Sequence, residues 1–184
     1  MEARNMSPLV VGLDIATDCG VAYGHPSDYP KCQSWDLRKG GKGRPRRLAA
    51  LWDYLHDFCN VHSPDMLFYE AGMGLQTALG IGTSEETFAF LRGAIGVVEA
   101  CAIKARIPYI KSIGVQDARK HLLGAGRLPK GEGKKLVFDR CRALRWPVTN
   151  EDESDAAAIW SLGCGEANPL SSAMVTPLFS GAPQ

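Results

Sequence analysis

The chain has 184 residues, 45% of them apolar, with 21 Lys and Arg against 20 Asp and Glu, which suits one globular domain able to bury its core without staples. No run reaches the length of a membrane span and the opening MEARNMSP has no apolar core of a signal peptide, so a cytoplasmic location with no membrane partner is expected. Six scattered cysteines without a C-x-x-C pair argue against a zinc site and a secreted disulfide framework, leaving buried free thiols as the expectation.

In chain order, Leu9 to Ile15 is an apolar run that reads as a strand. It carries one carboxylate, Asp14, then turns through Thr17 to Gly20 into a second strand, Gly20 to His25, and a third, Cys32 to Leu37. Turn residues between them predict an antiparallel meander. From Arg46 to His62, Leu48, Leu51, Trp52, Leu55, Phe58 and Cys59 recur at helical spacing, so one face of a helix packs on the sheet. Asp65 to Tyr69 is a fourth strand ending in Glu70, followed by a Gly-rich loop from Ala71 to Thr83.

Ser84 then caps a helix continuing from Phe88 to Arg106, apolar over much of its circumference. Such a helix is buried either in the core or against a partner subunit. A short strand, Pro108 to Lys111, a helix from Val115 to Leu123 and a helix from Lys134 to Leu144 follow, and the run TNEDESD opens a last helix through Ala156 to Leu162. The aperiodic tail from Gly165 to Gln184 is expected to be poorly ordered. The expected organisation is therefore an N-terminal tail (1–7), one α/β domain (8–164) with a mixed five-stranded sheet flanked by helices, and a C-terminal tail (165–184).

Charge is uneven along this order. Lys104 to Arg145 holds twelve Lys and Arg against three acids, whereas from Trp146 onward there are five acids and no Lys or Arg. A second basic cluster, Arg38, Lys39, Lys42, Arg44, Arg46 and Arg47, occupies a Gly-rich connection. Charge runs are commonly solvated faces, but basic stretches around an acidic centre also fit a protein doing metal chemistry on nucleic acid.

The acids supply that centre. Asp14 and Glu70 end strands, while Asp152 and Asp155 stand three apart at a helix start and so share a face. Singly, each has an ordinary structural reading, as a turn cap or as a complement to the helix macrodipole. Four carboxylates converging from separate elements would repel unless divalent metal neutralised them, and oxygen-only ligation suits Mg²⁺ or Mn²⁺. Glu153 competes within DESD, but on a helix it points away from the face shared by Asp152 and Asp155.

The segments GLDIATDCGVAYG, LFYEAG and DESDAAAIW, taken together, resemble the RuvC-type Holliday junction resolvases of the ribonuclease H-like superfamily, phage-type members among them, over about Leu9 to Leu162. The resemblance implies a ribonuclease H-like fold and an endodeoxyribonuclease resolving four-way DNA junctions, with two Mg²⁺ ions, replaceable by Mn²⁺, held by Asp14, Glu70, Asp152 and Asp155. It implies hydrolysis leaving 5′-phosphates. The family's two functional lysines fall at Lys120 and at Lys134, with Lys135 as the competing alignment. It also implies a homodimer through the helix Phe88 to Arg106, and a location in a bacterial cell or, if phage-encoded, in its host's cytoplasm.

Further DNA contacts are expected from Arg44, Arg46, Arg47, Arg119, Lys130 and Lys135. Met73 stands where family members often carry an aromatic wedge, and an apolar wedge there still unstacks a base step. Two other enzymatic readings share the chemistry or the opening strand. A nuclease for flaps or forks uses the same site, whereas a sugar kinase or actin-like ATPase needs a second copy of the domain and a nucleotide cleft; no second copy and no phosphate-binding G-x-x-x-x-G-K-[ST] loop occur in the sequence, so no nucleotide cofactor is expected. A non-cleaving junction-binding protein is the remaining alternative.

Overall fold

The computed structural model describes residues 7–72, 82–124 and 131–168. Met73 and Lys130, named above as DNA contacts, lie outside them. The elements run β1 (Val10–Asp14), β2 (Asp18–Gly24), β3 (Lys31–Asp36), a 3-10 turn (Leu37–Gly40), α1 (Arg44–His62), β4 (Met66–Glu70), α2 (Glu85–Lys104), β5 (Tyr109–Ile113), α3 (Val115–Leu123), α4 (Gly133–Ala143) and α5 (Glu151–Ala167). The five strands form one mixed sheet in the order β3-β2-β1-β4-β5. β1 and β3 lie antiparallel to β2, while β4 is parallel to both β1 and β5, as the sequence predicts.

Both faces are covered, which is why the central strand β1 is buried at every position and reads as a continuous apolar run. Val11, Leu13 and Ile15 point to one layer, where Leu51, Leu55 and Phe58 of α1 meet Phe90, Ala94 and Val98 of α2. Val10 and Phe68 point to the other, built from α3, α4 and α5 through Leu122, Val137, Ile159 and Trp160. All six cysteines are free, and five of them are buried. Among the described residues no helix is long and apolar enough to cross a membrane.

Several boundaries move for identifiable reasons. α1 begins at Arg44 because Pro45 fits the first turn of a helix, where its missing N–H is unneeded. The 3-10 turn takes up part of the Gly-rich connection, its start fixed by the Asp36 side chain accepting from the Arg38 amide. α2 starts at Glu85, directly after its Ser84 cap. α5 runs to Ala167, five residues past the expected end and into the segment assigned to the tail, because Gly163 packs against the Phe68 ring and Cys164 is still buried.

Candidate active site

The site lies at one edge of the sheet, where β1 and β4 both end in a carboxylate. Side chains alternate across a strand, so Val10, Gly12 and Asp14 face the α5 layer, as do Met66, Phe68 and Glu70. Leu13 pairs with Tyr69 in parallel register, which carries Asp14 and Glu70 out side by side on that face. α5 brings the other two carboxylates. Its backbone lies on the sheet because Gly12 and Gly20 have no side chain: a Cβ on Gly12 would stand 2.5 Å from the Ala156 carbonyl oxygen and the Trp160 nitrogen, and one on Gly20 would stand 2.1 Å from the Asp152 carbonyl oxygen. Gly20 is the register partner of Asp14, so the same contact that seats the start of α5 sets Asp152 and Asp155 beside Asp14.

The helix start is itself anchored. The Asn150 side chain accepts from the Glu153 amide at 2.8 Å, and the Glu153 carboxylate accepts from the Thr149 amide (2.7 Å), the Thr149 hydroxyl (2.9 Å) and Ser34 Oγ on β3 (2.9 Å). This reciprocal cap engages Glu153, buried on the side away from the cluster, and explains why Asp152 and Asp155 alone of the DESD acids turn inward.

Two cations complete the group. Arg119 of α3 donates from Nε and one terminal nitrogen to the two oxygens of Asp155 at 2.9 and 2.6 Å, a bidentate pair in which the Asp155 side chain is 1% exposed. Lys134, in the first turn of α4, reaches Asp152 at 3.0 Å and Asp155 at 3.7 Å. Burial lowers the tendency of both cations to hold their proton, but their carboxylate partners outweigh it and raise both pKa values. Asp14, 5% exposed, is pushed up to about 9 by burial first, then by a hydrogen bond with Glu70 and the charges of Glu70 and Asp155, with Lys134 opposing. A cleft of about 270 Å³ opens onto Asp14, Thr17, Glu70, Arg119, Lys134 and Asp155.

Asp14, Glu70, Asp152, Asp155 and Lys134 are thus brought together. Of the competing lysines, Lys134 faces the cluster, while Lys135, one residue and about 100° further round the helix, is exposed. Lys120 is not brought to the site: it is exposed and forms no ion pair with the four carboxylates, because Ala118 and Leu122 turn α3's core-facing stripe inward and Arg119 flanks that stripe. Arg119, expected as a DNA contact, occupies the place expected for Lys120. The signal is present in the sequence, since Val115 and Arg119 are four apart and both line the cleft. Arg44 and Arg46 are exposed and Arg47 half-buried, all in the first turn of α1.

Four carboxylates against two cations leave a surplus of negative charge, which adds to burial in raising the pKa of Asp14. An all-oxygen, anionic donor set fits a hard divalent cation. With Arg119 and Lys134 on Asp155 and Asp152, no group of three or more His, Cys, Asp or Glu among the described residues is assembled for a metal; the fit rests on the donor chemistry and the charge surplus.

The mixed sheet with helices on both faces and acids on adjoining strand ends is the ribonuclease H-like fold. More particularly it is the fold of RuvC: the chain is similar to RuvC of Thermus thermophilus (16% identity, TM-score 0.61, 91% of this chain and 97% of that one). It is also similar to the same protein in complex with a Holliday junction substrate (16%, TM-score 0.59, 92% and 97%). The yeast mitochondrial Holliday junction resolvase Ydc2 is also similar (13%, TM-score 0.56, 93% and 87%). No family model and no curated protein sequence matches the chain.

Proposed function

We propose that this protein is a structure-selective endodeoxyribonuclease that resolves four-way DNA junctions, with Asp14, Glu70, Asp152 and Asp155 as the ligands of two Mg²⁺ ions. The observation that carries the reading is the convergence of these four carboxylates, from three separate elements, at one edge of a RuvC fold. The convergence adds to burial in raising the pKa of Asp14, a cost to the metal-free fold. Divalent cations bound there supply a nucleophilic water and stabilise the departing 3′-oxygen of a phosphodiester, leaving a 5′-phosphate.

The remaining steps belong to the chain. With metal bound, Asp14 and Glu70 would hold it as carboxylates without the proton they share in its absence, and Asp152 and Asp155 would turn oxygens toward it from Lys134 and Arg119. Lys134, 44% exposed at the mouth of the cleft, then turns its ammonium to the scissile phosphate, a point-charge contact that positions the strand without reading sequence. Arg119 is the more deeply placed cation, with its side chain 12% exposed, and holds Asp155 in one orientation. A four-way junction has two-fold symmetry, so a C2 homodimer through α2 presents one site to each of two strands.

The test is a panel of linear, flap, fork and four-way DNA incubated with Mg²⁺ or Mn²⁺. The reading expects selective nicking of the four-way substrate, with 5′-phosphate ends, lost by at least about a hundredfold in Asp14→Asn, since removal of a single catalytic charge commonly costs that much. Equal cutting of all four substrates would leave a nuclease without junction selectivity. Tight junction binding without cutting in either metal would leave only a binding protein.

A further inference from the structure

We propose that the basic segment Lys39 to Arg47 is a second DNA-contact surface, which grips the sugar-phosphate backbone of a duplex arm beside the cleaved strand. The inference rests on the nuclease reading for its partner and on geometry for its place. β3 ends at Asp36, in register with Asp18 of β2, and β2 in turn pairs Gly20 with Asp14. The end of β3 therefore lies at the same end of the sheet as the four carboxylates, two strand spacings across and two residues along from Asp14, roughly 12 Å away. The 3-10 turn is tied to that end by the Leu37 amide donating to the Thr17 carbonyl at 3.0 Å.

Within this segment the charge is unspent. Arg38 pairs with Asp18 and Asp36, but Lys39, Lys42, Arg44, Arg46 and Arg47 have no carboxylate partner among the described residues. Three of them stand in the first turn of α1, which has neither an acid nor a side-chain cap, so their charges oppose the helix macrodipole. That arrangement costs stability. The loop is nevertheless built: Gly41 and Gly43 take φ values of 113° and 87°, open to glycine, and the Arg46 stem lies over Gly41. A cleft of about 460 Å³ adjoins it, lined by Lys39 and Arg46 and also by Asp53 and Asp57 further along α1.

The chemistry favours a polyanion over a protein. Protein interfaces centre on buried apolar or aromatic anchors, and the exposed large apolar residues, Tyr29, Val61, Ile103 and Tyr109, all lie outside this segment. A run of Lys, Arg and Gly fits a regular array of phosphates instead, without base recognition.

The experiment measures binding, not cleavage. Anisotropy of a labelled four-way junction and a labelled linear duplex is titrated without divalent metal over a salt series, for the full chain and for the triple variant Lys42→Gln, Arg44→Gln, Arg46→Gln. The proposal expects roughly tenfold or greater weakening at ~0.1 M salt on both DNAs and a log–log salt slope smaller by about 2 to 3. The charge-keeping triple Lys42→Arg, Arg44→Lys, Arg46→Lys restores the slope. Should the glutamine triple fail to fold, Lys42→Gln and Arg44→Gln singly each lower the slope by about 1. An unchanged slope, or a loss shared by the charge-keeping variant, overturns the proposal. Failure of the wild-type chain to cut any DNA overturns the nuclease reading and leaves this measurement standing.

Discussion

Asp14 sits at the end of a strand covered on both faces, with Glu70 and Asp155 alongside, and its carboxyl group is pushed up from 3.8 to about 9. In the unfolded chain the same group releases its proton near 3.8, so across that interval the folded state binds the extra proton. Stability of the metal-free protein therefore falls as pH rises from about 4 to about 9. Asp14→Asn cannot ionise, and we expect it to flatten that decline and to exceed the wild type in metal-free denaturant stability at pH 8, while losing cleavage. A variant that is less stable than the wild type at pH 8 would count against charge crowding at the site. Here the cause is burial first and then the neighbouring carboxylates Glu70 and Asp155.

Glu153 makes the opposite case. It is as buried as Asp14, but each of its oxygens has donors, from Ser34 and from Thr149. Glu153→Ala leaves those donors without their acceptor, and a loss of about 1–3 kcal/mol in chemical denaturation is expected. The helix face separates Glu153 from Asp152 and Asp155 in the sequence, and its neighbours Ser34 and Thr149 make it the anchor of the helix start.

At the scale of elements, the site depends on how closely α5 approaches β1 and β2. Gly12 and Gly20 permit backbone contact, and Trp160 Nε1 donates to the Gly24 carbonyl at 3.2 Å further along the same helix. Gly12→Ala would place a methyl group against backbone atoms of Ala156 and Trp160, which cannot rotate away. We expect a loss of about 1–3 kcal/mol measured by urea unfolding, with a larger fall in cleavage than stability alone explains, since the helix that moves carries Asp152 and Asp155. Among the elements, the strands and the central helices were legible from apolar periodicity, and the glycine contacts were not, because a glycine in a strand signals close approach without saying to what.

For the whole molecule, the surplus negative charge at one edge and the basic segment beside it lie on a chain whose net charge is only +1. Folded protein that binds divalent cations must be stabilised by them. Mg²⁺ or Mn²⁺ at a hundred times the dissociation constant is worth about 2.7 kcal/mol, or roughly 5–10 °C in Tm for a chain of this size. That shift is expected for the wild type by differential scanning fluorimetry and should shrink or vanish in Asp14→Asn. An equal shift in both would place the cation somewhere other than the four carboxylates.

The sequence alone determined the order of strands and helices, the two strand-end acids, and the i, i+3 pair on the last helix. Those features are local: side-chain alternation, helical spacing and capping depend on neighbours within a few residues. Tertiary structure decided which cation meets the acids, because Arg119 and Lys120 differ only by about 100° of helix rotation and the packing of Ala118 and Leu122 sets that rotation. It also decided that Glu153 is an anchor, and that the Gly-rich basic connection lies at the same end of the sheet as the carboxylates. Such relations join residues more than a hundred positions apart, as Ser34 is from Glu153, and they exist only once strand register and helix docking have brought distant segments into contact.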